Sequence, residues 1–167
     1  MKAGWIRPVV FLTGSLGDTL AAVPALWVLR QAWSDRPIVL LANRQEGGAR
    51  IGVEEILTGS GLADDFLFYP SHEGQGRVLA KWLGRLKLAF LLRKLRPDPL
   101  VYMVRGDRTQ PRVRRDLAFF RLVGVRKIVG VRGMPGRPAV RPPDLVSLPR
   151  QADQYLARLA ADGFLVP

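Results

Sequence analysis

The chain has no cysteine and a single histidine in 167 residues. The first absence excludes disulfides, thiolate metal sites and cysteine nucleophiles. The second leaves His72 without another imidazole to share a metal, and its neighbours Ser71 and Glu73 do not make a nucleophile triad. Acid is scarce as well: 14 Asp and Glu stand against 26 Lys and Arg, a net charge of +12. Residues 1–70 hold 6 basic and 7 acidic groups, whereas residues 71–167 hold 20 and 7. A basic excess confined to one half points to an anionic partner: nucleic acid, a membrane surface or a phosphorylated substrate. Long apolar runs are missing too. Stretches such as Ala21–Leu29 fall short of the roughly 20 residues a spanning helix needs, and no apolar signal segment follows Met1. The expectation is a soluble protein on the cytoplasmic side, at most peripheral on the inner face of the membrane.

What the chain does contain is alternation. Short apolar runs at Pro8–Thr13, Pro37–Ala42, Asp65–Tyr69, Leu100–Val104 and Lys127–Val131 read as strands, most of them buried on both faces. Between them, helical spacing recurs through about Trp33, over Val53–Leu57, over residues 77–96, over Gln110–Val123 and finally over Gln151–Ala161. Residues 133–149 are rich in Pro and Gly and read as loop. The pattern predicts one α/β, Rossmann-like, doubly wound domain over residues 1–167, with a mainly parallel sheet of at least five strands. Ligands of such sheets bind beyond the carboxyl ends of the strands. That singles out Gly14–Asp18, Asn43–Arg50, Pro70–Gly76 and Arg105–Gln110.

The first of these, Gly14-Ser15-Leu16-Gly17-Asp18, joins a buried strand to a helix. Its glycines permit positive φ and close approach of a ligand, and the helix start offers unpaired N–H groups. It is neither the three-glycine dinucleotide fingerprint nor a P-loop, which needs Lys-Ser or Lys-Thr. Two readings of Asp18 stand side by side: an acid that caps the helix's first turn, or a catalytic carboxylate. Pro24, inside the helix, is expected to kink it and tip its first turn.

The stretch from Gly14 to Leu26, with Gly17-Asp18, a few apolar residues and Pro24-Ala25-Leu26, resembles the opening motif of the heptosyltransferase-type glycosyltransferases, glycosyltransferase family 9. More diffusely, Leu100–Gly106 is similar to that family's fourth strand and its trailing glycine, and Gln151–Phe164 to the helix closing its N-terminal domain. The resemblance implies the N-terminal half of a GT-B architecture, which holds the acceptor, with the C-terminal donor-binding domain absent from this chain. It implies an inverting, metal-independent transfer, with no cofactor, of a sugar such as heptose from a nucleotide-sugar (an ADP-heptose type) to an anionic glycolipid or oligosaccharide, as in lipopolysaccharide biosynthesis. Asp18 carries over as the base. Gly14, Ser15, Leu16, Gly17 and Thr19 shape the acceptor loop, and Arg105, Gly106 and Arg108 follow the fourth strand. Around Arg105-Gly106-Asp107-Arg108 the chain departs from the family's usual Gln before the glycine. This chain alone is expected to be inactive. The other reading is a stand-alone nucleotide- or phosphate-binding module without chemistry.

Residues 77–141 hold 18 basic and 3 acidic groups. In the helix over 77–96, Arg77, Lys81 and Arg85 share one face, while Leu79, Trp82, Leu83, Leu86 and Phe90 share another. The apolar side is expected to pack on the sheet, although a basic helix with Trp and Leu can also lie in a membrane interface. Arg105, Arg108, Arg112, Arg114 and Arg115 suit phosphate or carboxylate. Nucleic acid is not the expected partner, because no aromatics interleave with cations on an open sheet face.

Overall fold

The computed structural model describes residues 7–43, 52–69, 78–134 and 150–166. Five strands, β1 (Val9–Leu12), β2 (Val39–Asn43), β3 (Asp65–Tyr69), β4 (Leu100–Met103) and β5 (Ile128–Val129), form one sheet in the order β3-β2-β1-β4-β5. Every pairing is parallel. Five helices alternate with them: α1 (Leu16–Ala32), α2 (Val53–Leu57), α3 (Val78–Leu95), α4 (Gln110–Leu122) and α5 (Gln151–Ala161). This is the α/β, Rossmann-like arrangement that the alternation predicts.

Both faces of the sheet are covered, which is why its central strands read as unbroken apolar runs. The period of two sorts their residues. Val10, Leu12, Leu40, Val101 and Met103 face α1, α2 and α5. Val9, Phe11, Val39, Leu41 and Tyr102 face α3 and α4. On the second side Phe11 meets Phe120 edge-on with centroids 5.0 Å apart, a favoured aromatic geometry. The strand order reverses between β1 and β4, so the loops leaving those two strands diverge and open a crevice at their carboxyl ends.

Four local expectations change. α1 begins at Leu16, so Gly17, Asp18 and Thr19 belong to its first turn rather than to a loop. α1 also runs through Pro24 without interruption. Pro24 and Leu20, whose carbonyl loses its helical partner, both lie on the exposed side of the helix, away from the core. The third change is in α3. Trp82, Leu83, Leu86 and Phe90 do not pack on the sheet but stand in solvent. Leu88 and Leu92, with Ala89 beside them, make the contact instead. α3 has two apolar stripes, and the compact leucine stripe fits the space over Val39 and Leu41. Finally, β5 is shorter than its apolar run, and residues 44–51, 70–77 and 135–149, with His72, most of the Asn43–Arg50 loop and all of the Pro70–Gly76 loop, lie outside the described residues.

One ion pair ties this scaffold across three segments. Asp64 accepts from Arg30 of α1 at 2.5 Å and from the Ile38 amide at 2.7 Å. Burial alone raises its carboxyl, but the hydrogen bonds from Arg30 and Ile38 and the Arg30 charge outweigh that, leaving it below the usual aspartate value. A carboxyl depressed in the folded state stabilises fully above its unfolded value and loses that contribution as pH falls through the folded one. Resistance to urea is therefore expected to decline below about pH 4. Asp64→Asn is expected to flatten the decline by under ~1 kcal/mol, since nearly half of the side chain is exposed. Urea melts of both proteins at about pH 3 and at neutral pH measure it.

Candidate functional site

The crevice at the strand-order reversal is built from the exits of β1 and β4. After Leu12 the chain turns through Thr13, Gly14 and Ser15 into α1. Gly14 has φ +149°, and a Cβ there would sit 2.6 Å from the Asp18 Cγ. Only glycine lets the turn close this tightly over the carboxylate. The Gly14 amide donates to the Asn43 side chain at 3.0 Å, which anchors the turn to the end of β2.

Ser15 is the N-cap of α1, and Asp18 is its third helical residue. Asp18 Oδ2 accepts from the Ser15 amide at 2.7 Å and from the Ser15 hydroxyl at 3.0 Å. One carboxylate oxygen thus caps the helix, as the first reading of this residue has it. The other, Oδ1, faces Arg105 on the β4 exit, with Arg105 Nε 3.8 Å away. Asp18 is only 9% exposed. The two readings of Asp18 are compatible: one oxygen is structural, and the other is turned toward the crevice.

The remaining candidates divide. Leu16 and Gly17 are exposed at the crevice rim, with Ser15. Thr19 is buried, and its hydroxyl donates back to the Ser15 carbonyl at 3.2 Å, inside the helix. Arg105 is half exposed and also reaches Asp107 at 3.0 Å. Gly106 is buried. Arg108 is drawn away from Asp18 by Asp116, which it contacts at 2.6 Å. Asp116 also accepts from the buried Tyr102 hydroxyl at 2.9 Å, and with Arg115 at 3.5 Å it balances two cations. Burial, followed by the Asp116 charge, pushes the Tyr102 hydroxyl well above the usual tyrosine range. Arg112 and Arg114 stand in solvent on α4.

Helix α5 supplies a floor that the motifs do not mark. Arg158 is 2% exposed. Its Nη2 donates to the Val104 carbonyl at 2.9 Å, one residue before Arg105, and its Nε to the Gln154 carbonyl at 3.3 Å. Its guanidinium lies 4.9 Å from the centre of the Tyr155 ring. Among the described residues Nη1 has no hydrogen-bond partner. Burial pushes the Tyr155 hydroxyl up to about 12, with the nearby Asp18 charge acting in the same direction against Arg158. The same burial lowers Arg158 from its ordinary value. A cation on the apolar face of an otherwise regular amphipathic helix was the available signal for this floor. The spacing Tyr155, Arg158, Leu159 puts all three on one side.

Among the described residues no three His, Cys, Asp or Glu side chains converge as metal ligands. A groove of about 830 Å³ lies at the opposite, amino end of the strands, between Trp33, Asp98, Lys127 and Phe164. It shares no residue with the Asp18 crevice.

With this geometry in view, the chain is similar in structure to a glycosyl transferase family 9 protein from Veillonella parvula DSM 2008, at a TM-score of 0.61 and 16% identity. The likeness is one of fold. The match covers 99% of this chain and 44% of that one, so the chain spans less than half the length of its structural neighbour. No protein-family model and no curated protein matches the sequence. Among the described residues no helix is long and apolar enough to cross a membrane.

Proposed function

We propose that this chain is the acceptor-binding half of an inverting glycosyltransferase, with Asp18 as the base that takes the acceptor's proton. The observation that carries the reading is the split carboxylate of Asp18. Oδ2 is held by Ser15 while Oδ1 faces the crevice between the β1 and β4 exits. The likeness of fold to a family 9 glycosyltransferase supports it.

The chemistry follows from that placement. An acceptor hydroxyl beside Oδ1 loses its proton to Asp18 as its oxygen bonds to the anomeric carbon of the donor. The bond from that carbon to the nucleoside diphosphate breaks on the opposite face, so the configuration inverts. Ser15 fixes the carboxylate, so no rotamer has to be found during the reaction. Gly14 and Gly17, without side chains, leave the rim low beside the exposed Leu16. Arg105 sets a positive charge beside the acceptor, which suits an anionic glycolipid or oligosaccharide carrying phosphate or carboxylate. The donor is a nucleotide-sugar, of ADP-heptose type on the resemblance of the Gly14–Leu26 motif, and a second domain holds most of it.

Charge stabilisation of the leaving diphosphate and positioning of the donor supply most of the acceleration in such a transfer. This chain alone is therefore expected to give no measurable transfer and no tight donor binding by calorimetry. Joined to a donor-binding α/β domain, it is expected to transfer sugar. Turnover at ordinary enzyme rates by the 167 residues alone would overturn the division of labour. Tight nucleotide binding without any transfer in either setting would favour a binding module without chemistry.

A further inference from the structure

The exposed stripe of α3 calls for a partner. Trp82 is 58% exposed and Phe90 70%, and Leu83 and Leu86 between them are more than half exposed. At 100° per residue these four positions fall within a sector about 100° wide. They stand roughly opposite the Leu88 and Leu92 stripe that holds α3 to the sheet. Single exposed apolar residues are ordinary, but four large ones in one sector form a contiguous patch, which marks an interaction surface.

The charges around the stripe identify what covers it. α3 contains five Lys and Arg and no acid. Arg93 lies within the angular range of the stripe, one turn beyond Phe90, while Lys94 and Lys87 line its margin, all three exposed. Trp, Phe and Leu in a stripe edged by Lys and Arg match the chemistry of a bilayer interface carrying anionic headgroups. A second copy of this chain fits poorly, since stacking the stripes would set two acid-free basic helices face to face.

We propose that α3 docks this protein on anionic lipid, with Trp82, Leu83, Leu86 and Phe90 entering the headgroup boundary and Lys87, Arg93 and Lys94 pairing with lipid phosphates. The surface is separate from the Asp18 crevice and does not depend on the chemistry proposed there.

Co-sedimentation of the 167-residue chain with vesicles tests it. Phosphatidylcholine mixed with phosphatidylglycerol is expected to bind the chain, phosphatidylcholine alone is not, and molar salt is expected to weaken the binding strongly. Because these side chains are in solvent, their variants are expected to melt like the parent. Lys87→Glu with Lys94→Glu is expected to weaken vesicle binding at least about thirtyfold. Trp82→Ser with Phe90→Ser is expected to weaken it at least about tenfold. Arg126→Glu with Lys127→Glu, the same charge change before β5, is expected to keep most of the affinity. Asp18→Asn is expected to bind vesicles as the parent does, which separates this result from any failure at the crevice. Three outcomes overturn the proposal. One is equal binding to neutral vesicles, and another is loss of binding by the β5 variant as large as that of the α3 variant. The third is a dimer in solution that Trp82→Ser with Phe90→Ser dissolves while vesicles go unbound, which would give the stripe to a second copy.

Discussion

Asp18→Asn is expected to lower sugar transfer by about 10²- to 10⁴-fold, the usual contribution of a positioned general base. Donor binding and melting temperature are expected to hold. The substitution separates the two duties of this side chain. Asn keeps the shape and still offers an oxygen to the Ser15 amide and hydroxyl, so the cap on α1 survives. What it loses is the ability to take a proton at the crevice-facing position. Asp18→Ala removes both duties, and is expected to add about 1 kcal/mol of destabilisation from the lost cap to the same loss of rate. Steady-state transfer and thermal melting of both variants, in the chain joined to the donor-binding domain proposed above, read the two effects separately. If Asp18→Asn turned over like the parent, the residue would be a helix cap and nothing more.

This overlap explains what could be read from the sequence and what could not. The order of elements was legible because a parallel sheet covered on both faces forces continuous apolar strands, as at Val9–Leu12 and Val39–Asn43. The Gly14–Asp18 turn was legible because a glycine turn between a strand and a helix has few uses. The partition of the Asp18 oxygens was not legible, because a capping acid and a base occupy the same position and differ only in which oxygen is engaged. Arg108 shows the same limit from the other side. Its spacing after β4 suits a ligand, but Asp116, eight residues on, brings a buried carboxylate within 2.6 Å of it. A helical period also cannot choose between two apolar stripes on one helix. In α3 the choice fell to Leu88 and Leu92, which join Val39 and Leu41 in the core.

Arg158 carries the second large expected effect. Arg158→Ala is expected to cost about 3–5 kcal/mol, because the side chain is one of the largest fully buried ones and leaves a cavity behind. It also strips the buried Val104 carbonyl of its donor. For a chain of this size that is a fall in melting temperature of roughly 6–20 °C. Arg158→Met is expected to stay within about 1–2 kcal/mol of the parent. Met fills most of the volume and adapts to irregular space. It also relieves the cost of burying a cation for which the described residues provide no carboxylate, and that relief offsets much of the lost hydrogen bond. The contrast between the variants decides what the residue does. If both fell equally, the charge itself would hold the fold together. If Met is tolerated and Ala is not, the fold needs the volume, and the charge serves the exit of β4. In that case Arg158→Met is expected to leave the melting transition near that of the parent but loosen the Val104–Arg105 turn, whose amide hydrogens should then exchange faster. Arg105 would no longer be held opposite Asp18, since the guanidinium that grips the preceding carbonyl is gone. Unchanged exchange at Val104 and Arg105 would refute that role and leave Arg158 as packing alone.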